Sequence, residues 1–153
     1  MQARLNAFQA APDLMKAVLA LSDASKASSL DIGIKELVKI RASQINGCAF
    51  CIEMHTREAR ALGETEERIY LLDSWRESPL YNDRERAALT WTEALTLVAD
   101  THAPDADYEA ARKVFSDQEL TELTVAIGLI NLWNRVQVGF RAIHPVKKQA
   151  AAQ

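Results

Sequence analysis

The chain has few residues that interrupt helices and few that form covalent cross-links. Among 153 residues only five are glycine, four are proline and two are cysteine. An all-β domain needs many more turn residues, so this scarcity argues against a strand-rich fold. Two cysteines three positions apart cannot form the disulfide framework that supports small secreted domains.

Strong charge of one sign and long apolar runs are also missing. Eighteen Lys and Arg residues face 21 Asp and Glu residues, and the basic pair near the carboxyl end, Lys147–Lys148, is too short to form a nucleic-acid-binding surface. No apolar run approaches the roughly 18 residues that cross a bilayer. Residues 1–13 lack a charged segment followed by an apolar one, so we expect no secretion signal and a cytoplasmic location.

What the sequence does contain is a series of helical patterns. Apolar residues recur at helical spacing and β-branched alternation is absent, so we predict an all-α fold in one domain, 1–153, with its core at about 34–143. The first four predicted helices are Pro12 to about Lys26, a helix that Asp31 caps and that reaches Ile45, Cys48 to Leu62 with Gly63 after it, and Thr65 to about Ser78. Asn82 and Glu85 cap the fifth, which reaches Val98, and Asp105 caps the sixth, which reaches Phe115. The last runs from Asp117 to about Ile143 and begins with a Ser116/Glu119 capping box.

The last predicted helix is apolar around much of its circumference. Val125, Leu132 and Val138 are among the residues that make it so. A helix of this kind is buried. In a domain this small, complete burial of the helix requires a second subunit, so we expect a homo-oligomer.

The two cysteines share one helical stripe with a histidine. Cys48, Cys51 and His55 are spaced i, i+3 and i+7, which places them on one face of a helix. Cys48 stands at the helix start after Gly47, where free backbone N–H groups favour a thiolate. His55 can take a proton from a cysteine. Glu36, on the preceding helix, can hydrogen-bond His55 if the chain folds back at Asn46–Gly47, which gives a carboxylate–imidazole–thiol relay.

Three interpretations of the C-x-x-C pair remain open at this point. It can be a structural pair, half of a zinc site, or a redox centre. Two thiolates, a histidine and a carboxylate form a plausible tetrahedral zinc set, although the chain has no second C-x-x-C and no H-x-x-H. The redox interpretation is the leading one.

The stretch ELVKIRASQINGCAFCIEMH, Glu36 to His55, resembles the signature of AhpD-like alkylhydroperoxidases in the carboxymuconolactone decarboxylase family. Weaker similarity continues in ERAAL (85–89), EAL (93–95) and NLWNR (131–135), so the resemblance spans most of the chain from about Ile34 onward. It implies an AhpD-like helical bundle that assembles as trimers or hexamers. It also implies a thiol-dependent peroxidase with no bound cofactor, which receives electrons from an external dithiol or a redox partner protein.

The resemblance further assigns roles to four residues. Cys51 attacks the hydroperoxide, Cys48 resolves the intermediate as a Cys48–Cys51 disulfide, and His55 and Glu36 relay protons. The physics of the helix end alone selects Cys48 as the reactive thiol, and we follow the family in choosing Cys51. The family's lactone-decarboxylating branch lacks the cysteine pair, so its activity is not carried over.

One residue of the motif departs from the best-known alkylhydroperoxidases. Phe50 stands where they have a histidine. We therefore expect weaker peroxidase turnover, and the alternative function is a redox-sensing or dithiol–disulfide exchange protein.

Further along the chain, bulky aromatic and polar residues lie in apolar helices. We predict core packing for Trp75, Trp91 and Trp133. Buried polar groups need partners, so we expect Asn131, Asn134 and Arg135 to hold a subunit interface or a helix end.

Overall fold

A computed structural model describes residues 1–145, and the last eight residues, Lys147–Lys148 among them, lie outside this range. The regular elements of the described residues are all helices and none is a strand, so the all-α prediction is confirmed. No described helix is both long and apolar enough to span a membrane. The elements are α1 (Ala7–Ala10), α2 (Pro12–Lys26), α3 (Ile32–Ile45), α4 (Ala49–Ala61), α5 (Glu66–Tyr70), a 3₁₀ turn (Leu72–Ser74), α6 (Asp83–Thr96), α7 (Val98–Thr101), α8 (Asp105–Arg112) and α9 (Asp117–Gly139).

Helix α3 lies at the centre of the fold. Its Ile34 and Val38 belong to a core cluster shared with α6, α8 and α9, where Trp91 and Leu123 are buried. A second core cluster lies on another side of α3. It contains Leu37 and Ile40 of α3, Ala59 of α4, and the buried Leu72 and Trp75. Because α3 is apolar on opposite sides, it packs against α4, α6 and α9 together and fixes the positions of all three.

Side-chain caps determine where several helices begin. Asn82 with Glu85, and Ser116 with Glu119, form complete capping boxes at the starts of α6 and α9, as predicted. Asp31 caps α3 as predicted. The predicted Asp105 cap is wrong, because Pro104 is the N-cap and Asp105 is the first helical residue. There the carboxylate still lies near the positive end of the helix dipole.

Four predicted helix boundaries are also wrong. Helix α8 ends at Arg112 rather than Phe115. The helix predicted from Thr65 to Ser78 is split into α5 and the 3₁₀ turn, and this path of the chain buries Ile69, Leu72 and Trp75. Val98 lies in the separate helix α7. Helix α9 ends at Gly139 rather than Ile143.

The amino-terminal segment explains the early end of α9. The backbone N–H of Arg4 donates to the carbonyl of Phe140 at 2.9 Å, and its guanidinium donates to the carbonyl of Gly139 at 3.1 Å. These carbonyls at the helix end therefore find partners without a further turn of helix. At Arg141 the backbone turns away from the helix with a positive φ of 55°.

One face of α9 is exposed in the single chain. Val125 and Leu132 on this face are 42% and 39% exposed, and Val138 near the end of the helix is 48% exposed. The helix is therefore only partly buried within one chain, as expected for a helix whose complete burial needs a second subunit, and it packs on the core through its other side. Burial of the exposed face in a homo-oligomer stays a prediction.

A half-buried carboxylate ties three elements together. Glu93 of α6 accepts hydrogen bonds from Arg41 Nε at 2.8 Å and Trp75 Nε1 at 2.9 Å, and it also pairs with Arg76. Burial raises the pKa of Glu93, but these donors outweigh it and hold the pKa below the usual value. The network fixes α3 and the segment around Trp75 against α6, so it helps to orient the helix that carries Glu36.

Candidate active site

The site is built around a tight turn between α3 and α4. The predicted break at Asn46–Gly47 is present, and Gly47 has a φ of 64°, a left-handed conformation that glycine adopts without steric cost. The backbone N–H of Cys48 then donates to the carbonyl of Ser43 at 2.9 Å. Cys48 is the N-cap of α4, and its Sγ accepts the N–H of Cys51 at 3.3 Å. The turn therefore delivers Cys48 to the helix start, as the sequence indicated.

A cluster of amides fastens this turn to α9. Asn46 Nδ2 donates to Asn131 Oδ1 and to Asn134 Oδ1, both at 2.9 Å, and Asn134 Nδ2 donates to Ser43 Oγ at 3.0 Å. Asn131 and Asn134 are 8% and 1% exposed. Of the two roles predicted for these residues, holding a helix end is confirmed, since they bind the end of α3 that leads to Cys48. We call Asn46, Asn131, Asn134 and Ser43 the asparagine clamp.

The two cysteines are joined to each other and buried. The Cys48–Cys51 disulfide that the resemblance implied is present, with Cα atoms 5.4 Å apart, and each residue is 1% exposed. They pack against Ala42 of α3 and Ile130 of α9. Three helices thus hold the pair in place.

His55 lies one turn after Cys51, and its ring faces two carboxylates. Nδ1 is 3.0 Å from Glu36 Oε2, the hydrogen bond expected from the sequence, and 3.3 Å from Glu58 Oε2. The other oxygen of Glu36, Oε1, accepts from Lys39 Nζ at 2.8 Å. Sequence reasoning missed Glu58 and Lys39. The signal was their i, i+3 spacing from His55 and Glu36, which places each pair on one helix face.

These contacts fix the protonation pattern of the ring. A carboxylate only accepts, so we assign the proton to Nδ1, which leaves Nε2 as an acceptor. Burial alone lowers the pKa of His55, but the hydrogen bonds to Glu36 and Glu58 outweigh it and raise the pKa above its usual value. Burial raises the pKa of Glu36, while His55 and Lys39 together hold it below its usual value.

The geometry groups a different set of potential metal ligands from the one considered in the sequence. Ligand atoms of Glu36, His55 and Glu58 lie within 4.8 Å of one another, and neither sulfur belongs to this group. The four-ligand zinc set of two cysteines, a histidine and a carboxylate is therefore not brought together. In the Glu36, His55 and Glu58 group, the Lys39 ammonium already supplies a cation to Glu36.

A cavity of about 320 Å³ adjoins the disulfide on the side of Cys51. Cys51 and His55 both line it, whereas Cys48 does not. Most of the wall is apolar. The other lining residues are Phe8, Leu19, Ser22, Ser25, Lys39, Phe50, Met54, Ala126, Leu129, Ile130, Trp133 and Gln137.

Residues from the first two helices form one side of the cavity. The ring of Phe8 stacks on the Trp133 indole with centroids 6.3 Å apart, and Trp133 Nε1 donates to Ser22 Oγ at 3.0 Å. The core prediction is right for Trp75 and Trp91, which are 3% and 7% exposed. It holds only in part for Trp133, which is half-buried: it packs against the core cluster around the disulfide and also lines the cavity.

Comparison with known proteins places this site in a family. The model of the carboxymuconolactone decarboxylase family matches residues 12–94. The uncharacterized protein YdfG of Bacillus subtilis is 41% identical over 138 residues, which cover 90% of this chain and 94% of that protein. The chain belongs to the carboxymuconolactone decarboxylase family.

Solved structures agree with this assignment. A crystal structure of a protein of unknown function from Agrobacterium tumefaciens, named as a candidate antioxidant defence protein AhpD, superposes with a TM-score of 0.93 at 49% identity, covering 95% of this chain and all of that one. This family member therefore has the AhpD-like fold. The apo structure of a debrominase shares the fold at a TM-score of 0.77 and 19% identity, covering 88% of this chain and 72% of that chain.

Proposed function

We propose that the protein is a thiol-dependent peroxidase that reduces organic hydroperoxides through Cys51 and Cys48. The observation that carries the proposal is the shared cavity: Cys51 and His55 border one apolar space, with Cys48 behind Cys51 and bonded to it. A substrate in this cavity meets only one sulfur. That arrangement supports Cys51 as the attacking residue, in agreement with the family resemblance.

The proposed cycle starts from the reduced pair. His55 Nε2 takes the proton of the Cys51 thiol, and the thiolate attacks the terminal oxygen of the hydroperoxide. The O–O bond breaks, the proton passes to the departing alkoxide, and the products are an alcohol and a Cys51 sulfenic acid. Cys48 then attacks the Cys51 sulfur, so that a disulfide and water form. An external dithiol, oxidised in turn to its own disulfide, returns two electrons, and no bound cofactor is invoked.

The cavity favours an uncharged organic substrate of modest size. Its volume is at the lower end of the roughly 300–1,000 Å³ usual for small-molecule sites. Lys39 is the charged residue of the wall, and its ammonium is paired with Glu36. Phe50, which replaces the histidine of better-known relatives, adds to the apolar wall. We therefore expect organic hydroperoxides to react faster than hydrogen peroxide.

Two further features belong to the proposal. The exposed apolar residues Val125, Leu132 and Val138 on α9 support assembly into a homo-oligomer, with a trimer or hexamer expected from the family. A cytoplasmic location is expected because a reducing compartment keeps such a cysteine pair available for turnover.

The test compares the wild-type chain with Cys51→Ser and Cys48→Ser variants, using cumene hydroperoxide or hydrogen peroxide and an excess of dithiothreitol. We expect catalytic consumption by the wild type, none by Cys51→Ser, and a sulfenic acid on Cys51 of the Cys48→Ser variant that dimedone traps. Equal rates for the wild type and Cys51→Ser would refute the peroxidase. A single stoichiometric loss of thiols without turnover would instead support the redox-sensing alternative.

A further inference from the structure

Both oxygens of the Glu36 carboxylate are bound by protein side chains. Its side chain is 5% exposed, Oε2 is 3.0 Å from His55 Nδ1, and Oε1 accepts from Lys39 Nζ at 2.8 Å. Orientation of the carboxylate is therefore set from two sides, by the imidazole on α4 and by an ammonium on its own helix.

A neighbouring lysine shows that this placement is specific. Lys35, one residue before Glu36, is 2% exposed and points away from the site. Its Nζ donates to the carbonyls of Lys26 and Ser28 at 3.0 and 3.1 Å and so closes the end of α2. Of these two lysines, only Lys39 lines the cavity and contacts Glu36.

We propose that Lys39 is a positioning residue of the relay, whose ammonium keeps Glu36 charged and turned toward His55, so that the imidazole holds its proton on Nδ1 and presents Nε2 to the cavity. The effect on turnover rests on the proposed function. The effect on the imidazole does not.

The reason is the number of protons that the Glu36–His55 pair carries. Without the Lys39 ammonium, burial and the remaining negative charge favour uptake of one extra proton by the pair. If this proton resides on the ring, both nitrogens are protonated. If it resides on Glu36, the acid donates to Nδ1 and the ring carries its proton on Nε2. In either case Nε2 cannot accept the proton of Cys51.

The other charges near the ring do not replace Lys39. Glu58 on α4 is the second charged group that contacts Nδ1, and it is negative. The cavity-lining side chains of α2 and α9, among them Ser22 and Gln137, are uncharged. Consistent with this, the Lys39 charge lowers the pKa of His55 against the opposing effect of the two carboxylates, although burial lowers it more strongly.

The experiment observes the His55 ring directly in the reduced protein. Three histidines in the chain make ¹⁵N NMR assignment of the ring nitrogens practical. At pH 8 we expect an unprotonated Nε2 in the wild type and in Lys39→Arg, which keeps the cation. In Lys39→Met we expect Nε2 to be protonated at this pH and to lose its proton only at higher pH. Lys113→Met, which removes an exposed lysine outside the site, is the matched control and should match the wild type.

Peroxide consumption is then measured against pH for the same variants. Lys39→Met should lose about tenfold in rate at pH 6 and approach the wild-type rate at pH 9, because His55 acts only when Nε2 is free. Lys39→Arg should restore the wild-type profile.

The outcomes separate this proposal from the proposed function. A wild-type ring signal and titration in Lys39→Met would overturn the proposal whatever the activity, and so would an equal loss of rate at every pH without a change at the ring. If the ring changes as expected but even the wild type consumes no hydroperoxide, the positioning role stands and the peroxidase function fails.

Discussion

Replacing Asn134 by alanine tests whether the asparagine clamp holds the turn that carries Cys48. Asn134 is 1% exposed and makes two hydrogen bonds, accepting from Asn46 and donating to Ser43. Each lost bond costs about 1 kcal/mol. Removing the amide from a closely packed position adds about 1 kcal/mol for the space left behind. We expect a loss of about 3 kcal/mol in the free energy of unfolding.

For a chain of this length, that loss corresponds to a fall in Tm of about 6–12 °C. The assay is thermal unfolding followed by circular dichroism at one fixed protein concentration, because assembly makes Tm depend on concentration. Thr121→Ala on the exposed face of the same helix is the control and should change Tm by less than about 2 °C. A fall in the Asn134→Ala variant no larger than in this control would refute the clamp.

The Asn134→Asp variant sharpens the same test. An aspartate keeps the acceptor for Asn46 but loses the donor to Ser43, whose hydroxyl already donates to the carbonyl of Lys39 at 2.7 Å. It also buries a charge without a cationic partner. Near pH 7 this variant should be at least as unstable as Asn134→Ala, and it should recover as the pH falls toward 5 and the new carboxyl is protonated. A loss that does not change with pH would contradict this account.

Three other substitutions or conditions test separate parts of the fold. Glu93→Gln weakens bonds from three donors and should lower the free energy of unfolding by about 2 kcal/mol in guanidinium denaturation; an unchanged midpoint would contradict a stabilising network. Gly47→Ala places a side chain at a φ of 64° and should cost about 1 kcal/mol by the same assay, because left-handed backbone is unfavourable for alanine. The pKa values of the Glu36 and Glu93 carboxyls lie below 4.5 and that of His55 lies above 6.5. Stability from the carboxylates is therefore lost as the pH falls below 4.5, and stability from His55 is lost as the pH rises through its raised value, so a maximum is expected between pH 4.5 and 6.5.

Features that depend on local chemistry could be predicted from the sequence. The caps at Asn82 and Ser116 were predicted because the side-chain oxygen of a residue three positions before a glutamate accepts a backbone N–H of the first helical turn. This local interaction does not depend on the rest of the fold. The break at Asn46–Gly47 was predicted for a similar reason, since glycine is needed where the backbone turns left-handed. Once that break is known, Glu36 and His55 must come close, because α3 and α4 are antiparallel neighbours joined by a short turn.

Features that depend on long-range packing could not be predicted. The residues that Asn131 and Asn134 bind in the asparagine clamp, Asn46 and Ser43, lie more than 80 positions earlier in the chain, and no local pattern points to them. Trp133 was expected in the core because its spacing on α9 is that of a buried residue. Whether the space beside it is filled or forms a cavity depends on where α1 and α2 pack, and Phe8 of α1, which stacks on Trp133, is one of the residues that line this space.

The stack of Phe8 on Trp133 affects how the protein should be shortened for laboratory work. The family match begins at residue 12, so a fragment cut at that boundary would omit Phe8 and also Arg4, which binds the end of α9. In this fragment the Trp133 indole would be exposed to water, and its fluorescence emission would shift to longer wavelength. A shortened protein of this kind would understate the preference for organic hydroperoxides that we propose, even though every residue of the C-x-x-C motif was intact.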